Sequence, residues 1–171
     1  MTRRNSPGFF DSDRDVAALV YAVGEDPDAL LLDFTRDLAA RGVAVVGLLQ
    51  RRCGGTVEFA LMPGRLPCST GLSEAALALG AALEQGPDLL VVNRFGSAEL
   101  SGGGLLDVLV EAAGHDIPVL IAVPEALFPA WLDFTDGLAV RLSCSRSGLE
   151  RWWRSLGSVP TRLPTLCERL K

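Results

Sequence analysis

Apolar residues along this chain gather in short unbroken runs, separated by stretches in which they recur at helical spacing. Residues 17–23, 43–49, 89–92 and 118–123 are the runs, and 138–142, interrupted by Arg141, is a candidate final strand. Runs that are apolar at every position suit strands of a parallel sheet covered on both faces. After the first run, Leu30, Leu31, Phe34 and Leu38 share one face of a predicted helix. Asp26 or Asp28 is placed to cap its start, and Gly42 stands where its stop is expected. Further helices are predicted over residues 73–85 and 105–113, and a short one holding Trp131 and Phe134 lies between Pro124 and Gly137. Ser147-x-x-Glu150 has the form of a capping box before a helix with Trp152 and Trp153. Residues 56–62 and 66–69 pattern as a hairpin around Pro63-Gly64.

Strands alternating with helices predict an α/β fold of three layers, with a mostly parallel sheet and right-handed crossovers. Length and composition sharpen the boundaries. The 171 residues suit one domain. Residues 1–15 read as a flexible leader, 16–156 as a single α/β domain, and 157–171, with Pro160 and Pro164, as an extended tail.

Charge then narrows the partners. Sixteen basic and twenty-one acidic residues give a net charge of −5. That balance argues against nucleic acid and against an anionic membrane surface, while leaving room for a local basic pocket. No apolar run reaches the ~18–20 residues of a membrane span, and the first fifteen residues lack the apolar core of a secretory signal. Cys53, Cys68, Cys144 and Cys167 are scattered and read as reduced thiols, so a cytoplasmic location is expected. Cys53 and Cys68 make a weak zinc pair without a histidine nearby, and no metal site is expected. His115, the one histidine, sits beside Asp116 at a helix end and reads as a surface residue.

Ligands of parallel sheets bind at the carboxyl ends of the strands, which selects loops 24–28, 50–55 and 93–104. The first differs from a phosphate-binding loop, G-x-x-x-x-G-K-[ST], in an informative way. Gly24 occupies the first glycine position, but Ala29, Leu30 and Leu31 replace the second glycine, the lysine and the hydroxyl. The groups that would meet the phosphates and hold Mg²⁺ are therefore missing, and Glu25, Asp26 and Asp28 would repel a triphosphate. In the third loop, Leu89-Leu90-Val91-Val92-Asn93 has the form of a Walker B strand with an amide in place of the acid.

Asn93, Arg94, Phe95, Gly96, Glu99, Gly102 and Gly104 spell N-[KR]-F-G-x-x-E-x-x-G-x-G. This signature resembles that of a bacterial family of unassigned function, related to the nucleotide-kinase-like nucleoside triphosphatases and often associated with molybdenum. The resemblance covers about residues 16–142, including a strand ending in Leu48-Leu49-Gln50-Arg51. It implies a P-loop NTPase-like fold with a degenerate Walker A, and molybdate or a similar oxyanion as ligand.

The candidate ligand-binding set is Gly24, Gln50, Arg51, Asn93, Arg94, Gly96, Glu99, Gly102, Gly103 and Gly104, with Arg52 as an adjunct. Arg94 and Arg51 offer forked donors to a tetrahedral anion. Glycines 102–104 offer backbone N–H groups at a helix start, and Asn93 offers an amide donor. Taken singly, Arg51 and Arg52 are ordinary solvated charges and the glycines an ordinary connection. Glu99 is either a general base or a structural partner of Arg94. The expectation is a non-catalytic oxyanion-binding or nucleotide-sensing accessory protein, without a named cofactor. The competitors are a triphosphatase or phosphotransferase using Glu99, and a protein-interaction scaffold. A homo-oligomer or protein partner is compatible with each.

Overall fold

The computed structural model describes residues 15–62, 66–69 and 71–157. Seven strands form one sheet: β1 (Val16–Tyr21), β2 (Val45–Cys53), β3 (Thr56–Met62), β4 (Leu66–Ser69), β5 (Leu89–Val92), β6 (Val119–Pro124) and β7 (Val140–Ser143). Their order is β4-β3-β2-β5-β6-β1-β7. The five strands from β2 to β7 in that order run parallel, and β3 and β4 add an antiparallel wing. The α/β fold is that of a P-loop NTPase-like domain.

The helices are α1 (Pro27–Ala40), α2 (Leu72–Leu83), α3 (Ser97–Leu100), α4 (Leu106–Gly114), α5 (Phe128–Phe134) and α6 (Arg146–Ser155). Apolar runs force the layering. Every residue of β5 is buried, as are the first five of β1 and of β6, so both sheet faces need cover. Val16, Ala18, Leu90, Val92, Ile121 and their neighbours pack under α2, α4 and α5. Ala17, Leu19, Leu89, Val91 and Leu120 face the other way, under α1 and α6. Leu31, Phe34 and Leu38 supply the buried stripe of α1, each worth about 1.5–3 kcal/mol on burial. Gly47 in β2 has no substitute, because a β-carbon there would collide with the Val91 carbonyl and the Met62 methyl.

Several boundaries differ from the sequence expectation. β1 stops at Tyr21, leaving Val23 fully exposed in the following turn. β2 runs on to Cys53 rather than ending at Leu49, because β3 pairs with it through Cys53↔Thr56 beyond the end of β5. Part of the loop expected at 50–55 is therefore strand. Ser145, not Ser147, caps α6, its hydroxyl accepting from the Gly148 N–H at 3.2 Å. Trp152 and Trp153 are both buried. β3 and β4 pair as expected. The Pro63-Gly64 turn, residues 1–14, residues 158–171 and Cys167 lie outside the described residues. Among the described residues, no helix is long and apolar enough to cross a membrane.

Candidate functional site

The strands of the parallel portion end at one edge, where the β1–α1 turn, the β2–β3 hairpin and the segment after β5 meet. The β1–α1 turn consumes its own donors. The Glu25 carboxylate accepts from the Ala22 N–H at 2.7 Å. Asp26 caps α1, one carboxylate oxygen accepting from Asp28 N at 3.1 Å and Ala29 N at 3.2 Å. Pro27, at the first helical position, has no N–H to give. The helix start where an anion would ordinarily be held is thus already filled by a carboxylate. Gly24, at φ +94°, lets the chain turn and lines no part of the cleft described below.

Asn93 sits at the end of β5 and is completely buried. Its side-chain oxygen accepts from Gln50 N at 2.8 Å, and its amide donates to Gln50 O and to Asp28 Oδ1, each at 2.9 Å. Both amide hydrogens are spent. The expectation that Asn93 donates to a bound anion is therefore corrected: it clamps β2 to β5 and both to the first turn of α1. An aspartate could make neither donation and would face the Asp28 carboxylate.

The next residues alternate in direction. Phe95 turns inward, its N–H donating to Ala122 O at 3.0 Å and its ring meeting Trp131 edge-on at 5.1 Å. Arg94, between two anchored neighbours, is sent the other way into a cleft of about 160 Å³. Gln50, Arg51 and Arg52 of β2 share that cleft with Arg94, Gly96 and Glu99, so sequence positions 42 and more apart converge there. Arg94 Nε is buried without a hydrogen-bond partner. Burial raises the Tyr21 phenol above its ordinary pKa; the nearby Arg94 charge opposes this and Asp28 adds to it. Arg94 and Asp28 therefore each lie within electrostatic reach of Tyr21.

Glu99 is 5% exposed, and its two oxygens accept from Gly96 N at 3.0 Å and Leu105 N at 3.1 Å. No ion pair joins it to Arg94 among the described residues, so the alternative of a structural pairing with Arg94 is not met. Its carboxylate also closes the start of α4. Gly102 N and Gly103 N are bonded to Glu99 O at 3.0 Å and Ala98 O at 3.1 Å. Gly102 and Gly103 thus spend their N–H groups on the turn around Glu99 rather than presenting them to an anion. Gly104 has φ +66°, and a β-carbon there would run into the Glu99 carboxylate. The residues 97–100 inside this segment form the helical turn α3.

The cleft also includes Ser97, Ala98, Val57 and Leu72, which sequence reasoning missed. Ser97 had a signal, as the hydroxyl residue directly after the signature glycine. Val57 had none, since only its pairing opposite Arg52 brings it near, and Leu72, at the start of α2, had none either. His115 is exposed at the end of α4, as expected. Cys144 is a free thiol, its pKa raised by burial and then by the carboxylates of Glu25 and Asp26.

The chain is similar to the molybdenum import ATP-binding protein ModC 2 of Bradyrhizobium diazoefficiens, with 37% identity over 170 aligned residues. The match takes in 86% of this chain but only 19% of that protein, so the chain spans about a fifth of the length of this relative. Residues 65–152 match the family described as protein of unknown function (DUF2478), a span that carries the Asn93-to-Gly104 signature, and the chain belongs to that family.

Proposed function

We propose that this chain is a non-catalytic oxyanion-binding domain, serving an accessory or sensing role in the cytoplasm on a P-loop NTPase-like fold whose Walker A is degenerate. One observation carries the reading: Arg51, Arg52 and Arg94 line a single small cleft at the carboxyl edge of the sheet, and the buried Nε of Arg94 is unpartnered. Guanidinium forks suit tetrahedral oxyanions, and a buried donor without a partner favours an acceptor arriving from outside. A volume of about 160 Å³ falls below the ~300–1,000 Å³ of ordinary small-molecule pockets and favours an ion over a nucleotide.

The β1–α1 turn supports the same conclusion by contrast. Asp26 occupies the donors that a nucleotide phosphate would need, and no lysine is present between residues 24 and 31. A triphosphatase using Glu99 as its base fits less well, because both carboxylate oxygens are engaged by backbone N–H groups. The name of the relative, a molybdenum import protein, makes molybdate the first anion to try.

The test is a thermal-shift titration with molybdate, tungstate, sulfate, phosphate and Mg·ATP at one fixed ionic strength. A ligand selective for the folded chain adds about 2.7 kcal/mol at a hundredfold excess over its Kd. Molybdate and tungstate are expected to raise the Tm, and Arg94→Ala to abolish the rise. A rise with Mg·ATP alone would replace this reading with the enzyme.

A further inference from the structure

A second surface lies on the opposite side of α2 from the sheet. Helices α2 and α4 leave between them a groove of about 640 Å³, lined by Leu77, Gly80, Ala81, Glu84, Asp107 and Glu111 among others. Gly80 faces α4, where a β-carbon would make only ordinary contact, at 3.5 Å, with Glu111 Oε2. Leu77 stands on the rim with 76% of its surface exposed. On α2, residues 77, 81 and 84 follow helical spacing, and 107 and 111 do so on α4.

Charge separates this groove from the rest of the molecule. Residues 66–140 contain ten carboxylates, three of which line the groove, and a single lysine or arginine, Arg94, besides the histidine His115, while the other fifteen lysines and arginines lie outside that span. Arg94 belongs to the cleft at the strand ends, not to the groove. Glu84, Asp107 and Glu111 have no ion-pair partner among the described residues, although five ion pairs form elsewhere. An apolar floor, an exposed leucine and an unneutralised acidic rim together describe one half of an interface.

We propose that the α2–α4 groove docks a basic amphipathic helix from a protein partner. Two neighbouring helices offer a third a groove for its apolar ridge, and lysine or arginine flanks would meet the rim carboxylates. A second copy of the chain would set acidic rim against acidic rim. Nucleic acid and anionic lipid are repelled for the same reason. The groove shares no lining residue with the anion cleft, so either reading can fail alone.

The probe is a fluorescein-labelled helical peptide with leucines at i, i+3, i+4 and i+7 flanked by lysines, followed by anisotropy at physiological ionic strength. Saturable one-to-one binding is expected. It should weaken at least about tenfold in Leu77→Asp and in the Asp107→Lys, Glu111→Lys double variant, and stay unchanged in Arg94→Ala. A control peptide with glutamate for lysine should bind at least about tenfold more weakly. Absence of saturable binding, equal affinity for the variants, or equal affinity of the control peptide would overturn the proposal. So would sedimentation showing a dimer of the free chain that dissociates in Leu77→Asp, since the groove would then be a self-association surface. Both variants alter rim side chains outside the core, and an unchanged Tm confirms that each is folded.

Discussion

Two segments at the carboxyl edge of the sheet start from similar raw material and end in opposite states. The β1–α1 turn has a glycine, a helix start and polar side chains, and it satisfies itself: Glu25 takes the Ala22 N–H, and Asp26 takes those of Asp28 and Ala29. The segment after β5 also satisfies its backbone, through Glu99, but aims Arg94 into a cleft shared with Arg51 and Arg52. Glycines and helix starts therefore do not make an anion site where the chain supplies its own carboxylate. The site's electropositive character comes from side chains on β2 and on the segment after β5, and the acids work as internal fasteners.

Breaking the fasteners should cost most. Asn93→Asp places a charge in a fully buried position facing Asp28, and removes both donations of the clamp. A loss of about 3–5 kcal/mol is expected, read from the urea unfolding midpoint. Restoration of wild-type stability by adding Asp28→Asn would locate the cost in that charge pair. Glu99→Ala strands the N–H groups of Gly96 and Leu105 and should cost about 1–3 kcal/mol by the same measurement. Intact stability would mean that the turn 99–104 has other support.

Opening the first segment sharpens the contrast. Asp26→Ala removes the α1 cap at a cost of about 1 kcal/mol and frees the N–H groups of Asp28 and Ala29. Phosphate should then stabilise this variant more than the wild type; an identical phosphate response would show that closure by Asp26 is not what excludes anions. Arg94→Ala should shift stability by no more than about 0.5 kcal/mol, since no hydrogen bond or ion pair is lost among the described residues, while abolishing the anion response.

The smallest effect concerns Cys144. Burial and the charges of Glu25 and Asp26 raise its pKa, so the folded chain holds the thiol proton more tightly than the unfolded chain. The associated stabilisation is present below the ordinary thiol pKa and is lost as pH rises through the raised value. Alkylation of Cys144 at mildly alkaline pH should be slower than that of a peptide thiol, and faster in Asp26→Asn than in the wild type. Equal rates in the two proteins would show that the carboxylate of the closed turn does not reach the sulfur.

The layers of the fold were legible because burial on both faces leaves a local trace. β5 was placed to the residue, and the buried stripe of α1 was read from Leu31, Phe34 and Leu38. The cap of α6 was misplaced by two residues because Ser143, Ser145 and Ser147 all lie within hydroxyl reach of the turn, and only the backbone conformation selects Ser145. The grouping of Gln50, Arg51, Arg94 and Glu99 was legible from the rule that strand ends converge.

By itself the sequence determined an α/β chain with alternating buried strands and helices, a signature after β5, and a β1–α1 turn without the groups that grip phosphate. Those properties are local, set by apolar runs, helical spacing and residue type. Only the tertiary structure decided what the polar side chains do with their donors. Asn93 reaches partners 43 and 65 residues away, and that geometry turns an expected anion ligand into a clamp. Glu99 bends back on its own backbone instead of meeting Arg94. A polar side chain in a loop has several possible partners of similar chemistry, and the packing of the strands beneath it chooses among them.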